Sequence, residues 1–150
     1  MVTLFKTLFA RLTSKFLQIP SNNFHPTVWI NGDPIIGSNV YIGGFSIINS
    51  KNAKVIIQDN CDIASFVSIN SADSHKKCLT LTSNISRSDI FIGNNVFIGS
   101  HSVIKGGAVI GNYSVIAAGT VVDGVEIPAY SLVSGNPMIV KSGYYKKYFQ

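Results

Sequence analysis

The chain has 150 residues, about one domain's length, with 46% apolar and 13% charged residues and a formal charge of +5. Two cysteines are too few for a disulfide framework, and no apolar run reaches the roughly 20 residues of a membrane span. The positive charge suits anionic partners such as phosphates or a lipid surface, but no Lys/Arg cluster sits beside the aromatic residues of a nucleic-acid fold.

Residues 1–34 stand apart as an N-terminal helix and a lead-in segment. Within 1–18, Phe5, Leu8, Phe9, Leu12 and Phe16 recur at helical spacing, interrupted by Lys6, Arg11 and Lys15. The segment lacks the succession of a signal peptide. This basic amphipathic helix is expected either to cap the first turn of the domain that follows or to touch an anionic membrane weakly and peripherally. Pro20 to Pro34 is rich in Pro and Asn, as a loop should be.

From 35 the chain falls into sixes: Ile36-Gly-Ser-Asn-Val-Tyr, then Ile42-Gly-Gly-Phe-Ser-Ile. The register slips across Asn49–Lys54, read as a loop at a corner. It returns with Ile57-Gln-Asp-Asn-Cys-Asp, Ile63-Ala-Ser-Phe-Val-Ser and Ile69-Asn-Ser-Ala-Asp-Ser. After Ser74 the period is lost until Ile92. The most regular run follows, with Ile92, Ile98, Ile104, Ile110, Ile116 and Val122 opening successive sixes.

A period of six fits neither a lone helix nor a hairpin sheet. It marks a solenoid of short parallel strands stacked as a β-helix. Each aliphatic side chain should point inward onto its counterpart one coil away, with three sixes to a coil. The small residue after it is expected at a corner that tolerates unusual backbone angles. The fifth place is small or β-branched, so Cys61 should be a buried, inert thiol, and both cysteines are expected reduced. The solenoid domain is set at 35–141, with an extruded loop at about 75–90. Insertions in a solenoid collect on one face, often the binding face, so this loop is the first candidate for an active site. Residues 142–150, with Tyr144-Tyr-Lys-Lys-Tyr-Phe, form an aromatic and basic tail, expected to be helical and packed as a cap.

Three histidines are available. His75 follows Ser71-Ala-Asp73-Ser74 at the root of the loop, where a neutral imidazole could take a proton from an attacking hydroxyl or amine, with Asp73 near enough in sequence to orient the ring. A solvated loop histidine is the plain alternative. His101 should point outward, as decoration or as part of an interface, and His25 has no assigned role. No metal is expected, because no two histidines lie close together and His75-Lys-Lys-Cys78 offers only two ligands.

The repeat, the Ser-Ala-Asp-Ser-His75 break, the Asn95-Val-Phe-Ile-Gly-Ser100 restart, Ile116-Ala-Ala-Gly-Thr-Val-Val122 and Ser134-Gly-Asn-Pro137 together resemble the hexapeptide-repeat acyltransferases. Within them, the chain is similar to the maltose- and galactoside-type and capsular saccharide O-acetyltransferases. The likeness covers about 35–141. It implies an all-β left-handed parallel β-helix, a homotrimer and acetyl-CoA as donor. It makes His75 the general base, and it puts the arm of coenzyme A between subunits against backbone groups of Ser100 and Ala118, with Gly99 keeping the wall low beside the thioester. One coil separates Ser100 from Ala118, so the two should lie one above the other.

The chain also departs from that pattern. Phe97 stands where Trp is usual. Asp123-Gly124 follows the Val-Val pair where Lys is common, with an apparent one-residue insertion before Pro128. Ile139 occupies the place of a common basic residue, for which Lys141 is the nearest substitute.

The function expected is acetyl-CoA-dependent O-acetylation of a saccharide hydroxyl, by a cytoplasmic protein that could sit peripherally at the inner membrane surface. N-acetylation of a nucleotide-linked amino sugar and a non-catalytic structural β-helix are the alternatives. An amine that arrives deprotonated depends less on His75, and a silent β-helix releases no thiol from acetyl-CoA.

Overall fold

A computed structural model describes Leu8, Leu12, Phe16 and residues 24–149. The three N-terminal residues are helical and exposed. The remainder of the expected helix lies outside the described residues.

From Trp29 onward the chain winds through five coils of three short strands each. The first coil is Trp29–Asn31 (β1), Ile35–Ile36 (β2) and Tyr41–Ile42 (β3). The second is Ile47–Asn49 (β4), Val55–Ile57 (β5) and Asp62–Ile63 (β6). Ser68–Asn70 (β7) opens the third, which is interrupted by an excursion carrying Ala72–Asp73 (β8), the four-residue helix His75–Cys78 (α1) and Ser86–Arg87 (β9). It closes with Ile90–Ile92 (β10) and Phe97–Ile98 (β11). Val103–Lys105 (β12), Val109–Ile110 (β13) and Val115–Ile116 (β14) make the fourth. Val121–Val122 (β15), Glu126–Ile127 (β16) and Leu132–Ser134 (β17) make the fifth, and Ile139–Lys141 (β18) folds back antiparallel on β17.

Corresponding strands pair in parallel to build three flat sheets, β1-β4-β7-β12-β15, β2-β5-β10-β13-β16 and β3-β6-β11-β14-β17. The architecture is a left-handed parallel β-helix. Its first coil includes β1, which pairs with β4 and lies within the segment read from sequence as a lead-in.

The period of six has a direct physical cause. First-place side chains, Ile92, Ile98, Ile104, Ile110, Ile116 and Val122 among them, are fully buried in one continuous core. Each buried aliphatic side chain contributes about 1.5–3 kcal/mol. The fifth place is buried too, and there a small side chain fits inside the turn. Where that residue is polar, the neighbouring coil satisfies it: Ser102 Oγ donates to the Ala117 carbonyl at 3.0 Å, and Ser114 Oγ donates to that of Pro128 at 3.3 Å. Cys61 is buried in this column, and burial pushes its thiol pKa up.

The unusual backbone angles do not follow each aliphatic residue directly. They fall two places later, at the fourth residue of each six: Asn39, Asn60 and Asn95 at one corner and Phe45, Phe66 and His101 at another all have φ between +53° and +63°. The glycine after the aliphatic has a different cause, which is close approach of backbone. A Cβ on Gly43 would come within 2.5 Å of the Ser65 nitrogen. The Phe45, Phe66 and His101 rings stack in a ladder with centroids 5.1 and 4.9 Å apart, so His101 points outward onto an aromatic neighbour.

Two corners depart from the sequence pattern. Ile69–Ser74 is not a full six, because the chain leaves the solenoid after Ser71 and starts the antiparallel pair β8–β9. After Val122 the corner is one residue short: Val103 pairs with Val121, 18 residues on, but Val109 pairs with Glu126, only 17 on. The insertion read before Pro128 is relative to the resembling family; relative to this chain's own repeat the corner is one residue short. Gly124 permits it, since a Cβ there would collide with the Gly106 carbonyl oxygen.

The tail forms a short 3-10 turn at Lys146–Tyr148, and Phe149 packs on the stacked rings of Tyr113 and Tyr130. No described helix is long and apolar enough to cross a membrane. Ile104→Ala should lower unfolding free energy by about 2–5 kcal/mol in a denaturant titration, and Val115→Ala, on the half-buried outward side of β14, by much less.

Candidate active site

The excursion of 71–89 leaves the corner between the first and second sheets. Its base is the β8–β9 pair, with Ala72 opposite Arg87 and Asp73 opposite Ser86. The Arg87 guanidinium donates to the Lys51 carbonyl at 2.6 Å, which ties the excursion to the 50–54 loop one coil earlier. The two irregular segments thus reinforce one another on a single corner.

Asp73 ends β8 and His75 begins α1. The carboxylate Oδ1 of Asp73 accepts two bonds from His75, from its backbone N–H at 3.0 Å and from ring Nδ1 at 2.6 Å. Both side chains are open to solvent, at 60% for His75 and 53% for Asp73. The carboxyl pKa is lowered from its ordinary value of 3.8, first by the backbone N–H and then by the ring. An ionised acceptor at Nδ1 fixes the proton on that nitrogen, and the network assigns the tautomer with the Nε2 lone pair free. Nε2 has no partner among the described residues. The pair is arranged as an oriented base.

A cleft of about 260 Å³ opens beside it, lined by Asn70, Asp73, His75, Lys76, Val103 and Lys105 together with Ser71, Ser86 and Ser88. An asparagine ladder leads into it: Asn31 Nδ2 donates to Asn49 Oδ1 at 3.3 Å, and Asn49 Nδ2 donates to Asn70 Oδ1 at 3.0 Å. Asn70 Oδ1 also accepts the Ala72 N–H, which leaves the Asn70 amide nitrogen as the donor end of the ladder at the cleft. Lys105 pairs with Asp123 at 2.7 Å.

Sequence reasoning did not single out Asn70, Lys76, Arg87 or Lys105. The signal that could have found Asn70 was the recurrence of Asn at 31, 49 and 70, the last position of three strands stacked in one sheet. Lys105 and Asp123 likewise share a column on β12 and the residue after β15.

Gly99, Ser100 and Ala118 lie together at a different corner, between the third and first sheets. The Gly119 N–H donates to the Ser100 carbonyl at 2.9 Å, so these residues stack one coil above the other as their spacing requires. The N–H groups of Ser100 and Ala118 have no partner among the described residues and form a short column of free donors. Gly99 is explained by stacking, since a Cβ there would lie 2.5 Å from the Ala118 nitrogen.

The structure does not bring this column to His75. Ser100 and Lys105 stand at opposite ends of one solenoid side, about 17 Å apart at some 3.3 Å per residue, and His75 is at the Lys105 end. Lys141 does not join the column either. It pairs with Leu132, at the start of β17, whereas Ile139 pairs with Ser134 beside the corner. Among the described residues no three His, Cys, Asp or Glu side chains converge as a metal site would need.

A family model described as bacterial transferase hexapeptide (six repeats) matches residues 89–124. The fold is similar to that of a maltose O-acetyltransferase from Clostridium difficile 630, with a TM-score of 0.65, 21% identity, and coverage of 94% of this chain and 87% of that one. It is similar to a galactoside acetyltransferase in complex with coenzyme A, with a TM-score of 0.59, 29% identity, and coverage of 88% and 79%. It is similar to the polySia specific acetyltransferase NeuO, with a TM-score of 0.65 and 26% identity. There 77% of this chain aligns, and it spans 57% of that chain's length. No curated protein matches the sequence significantly.

The sign of the Asp73 shift sets a pH expectation. A carboxyl lowered in the folded state contributes stability above its unfolded pKa and loses that contribution as pH falls through the folded value. Carbon-detected NMR should therefore place the Asp73 midpoint below that of an unstructured aspartate. His75→Ala should move it only part of the way back, because the backbone N–H remains; a midpoint at the unstructured value in the native protein would contradict the geometry.

Proposed function

We infer that this chain, which carries the bacterial transferase hexapeptide repeat, is an acyltransferase that moves an acetyl group from acetyl-CoA to a saccharide hydroxyl. The observation that carries the reading is the His75–Asp73 pair, with Nδ1 bonded to an ionised carboxylate, Nε2 free, and both residues lining one cleft. The likeness to a galactoside acetyltransferase solved with coenzyme A supports the donor.

In this reading a hydroxyl of the acceptor lies in the cleft against Nε2. As its oxygen attacks the thioester carbonyl carbon, Nε2 takes the hydroxyl proton. Asp73 holds the ring in the tautomer that can accept it and stabilises the imidazolium that forms. The negative charge developing on the carbonyl oxygen is met by the free N–H of Ser100. When the carbon–sulfur bond breaks, the imidazolium returns the proton to the departing thiolate, so the products are the O-acetyl sugar and free coenzyme A. Ala118, one coil on, offers the next free donor to the pantetheine arm. Gly99 keeps the stacking tight beneath it. Lys141 is open to solvent and could reach the cofactor's phosphates only from the far end of the third sheet.

The separation across the first sheet makes a second copy of the chain necessary, since one copy's His75 cannot reach its own Ser100. A ring of three copies in head-to-tail contact joins each His75 to a neighbour's donor column. Hydroxyl transfer is favoured over amine transfer because the pair is built as a base, which an amine already deprotonated on arrival does not need.

His75→Ala should reduce thiol release from acetyl-CoA by about 10²–10⁴-fold while acetyl-CoA affinity persists, and Asp73→Asn should cost less. Light scattering should give a trimer at micromolar concentration; an active monomer would sink the shared site.

A further inference from the structure

We propose that the acceptor is an anionic saccharide, gathered by a basic corner that surrounds the His75 cleft. The inference rests on the acetyl-transfer reading above and goes beyond it by naming the class of acceptor.

Between residues 24 and 149 the chain has nine Lys and Arg residues. Six of them, Lys51, Lys54, Lys76, Lys77, Arg87 and Lys105, lie on the one corner where the excursion leaves the solenoid, and the other three are Lys141 at the end of β18 and Lys146 and Lys147 in the C-terminal tail. The remaining two corners carry none in any coil. A charge distribution with no preference would not empty two corners of three and crowd the third.

Three of the four acids on the same corner are engaged, and the fourth, Asp33, lies in the first coil, two coils before the excursion. Asp73 accepts from His75, Asp123 pairs with Lys105, and Asp89 accepts the Lys54 N–H at 2.8 Å. Lys76 lines the cleft and Lys77 follows it on α1, and neither has an acidic partner among the described residues. Arg87 binds the two loops together, so the cations on both are held on one surface. Such a surface raises the local concentration of an anion and speeds its arrival. At closer range, ammonium groups give charge-assisted hydrogen bonds to carboxylate or phosphate oxygens.

Coenzyme A is itself an anion, but it does not account for this corner. Its thioester must meet Nε2 of His75, and its phosphates lie at the opposite end of the pantetheine arm. The anion that belongs beside His75 is therefore on the acceptor. Two sources carry that chemistry: the carboxylates of an acidic oligosaccharide, and the pyrophosphate of a nucleotide-linked sugar.

Calorimetric titration of the full chain with a sialic acid trimer, UDP-N-acetylglucosamine and neutral maltotriose distinguishes them. At least one anionic probe should bind at least about tenfold tighter than maltotriose, and which one does so identifies the source. Its affinity should fall on raising NaCl from about 50 to about 300 mM, and should fall about tenfold in Lys76→Glu/Lys77→Glu. Both side chains are exposed, so the variant's unfolding midpoint should match that of the native chain. Acetyl-CoA affinity should stay within about twofold. The proposal is overturned if maltotriose binds as tightly as the anions, if no probe binds, if charge reversal leaves the anion's affinity unchanged, or if acetyl-CoA affinity falls instead. Failure of the acetyl-transfer reading would show separately, as absent thiol release from acetyl-CoA in a protein that still binds the anion.

Discussion

The column of aliphatic side chains inside the solenoid constrains everything around it. Each first-place isoleucine must land on its counterpart one coil away, and the coils must close to the distance that parallel strand pairing sets, about 4.8 Å. That spacing leaves no room for a Cβ at several second-place positions, which is why Gly43 and Gly99 touch the backbone of the next coil. It also dictates the left-handed backbone at each fourth place, even where the residue is a phenylalanine or a histidine that adopts it at a cost. Stacking of Phe45, Phe66 and His101 offsets part of that cost.

A scaffold so regular can tolerate irregularity only at its corners, and the chain concentrates it at one. The 50–54 loop and the 71–89 excursion emerge there and are fastened by Arg87. The result is a fixed platform for Asp73 and His75 outside the core, beside a cleft whose inner wall is the first sheet. The dyad is therefore exposed yet oriented. Its geometry comes from a β-strand end and a helix start two residues apart, and not from burial. The opposite corner remains strictly periodic, so backbone donors there repeat at the coil spacing, as an extended ligand lying along the solenoid would require.

Much of this was legible in the residues. The sixes announced the β-helix and its inward column, the loss of period after Ser74 announced the excursion, and the 18-residue interval between Ser100 and Ala118 fixed their stacking. What escaped had physical reasons. Periodicity reports which side chains point inward but not which residue at a corner carries the strained angle, so the fourth place was mistaken for the second. Ile69–Ser74 kept the composition of a repeat although strand pairing with Ser86–Arg87 had already captured it. The shortening of the Asp123–Gly124 corner against the chain's own 18-residue coil shows only in the strand register. The basic corner was invisible because Lys51, Lys76, Arg87 and Lys105 are far apart in sequence and meet only through coil stacking.

The central claim is that one copy's His75 and a neighbour's Ser100–Ala118 column form a single site. Subunit mixing tests it most directly. His75→Ala removes the base, and Ala118→Trp fills the exposed place beside the free donors. Each variant alone should be nearly silent in a thiol-release assay with an acceptor that the native chain acetylates. After denaturation and refolding together in equal amounts, a head-to-tail trimer places an intact base against an intact column at about a quarter of its interfaces, and about that fraction of native activity should return. A mixture that forms hybrid trimers, shown by native mass spectrometry, and yet recovers no activity would contradict the account.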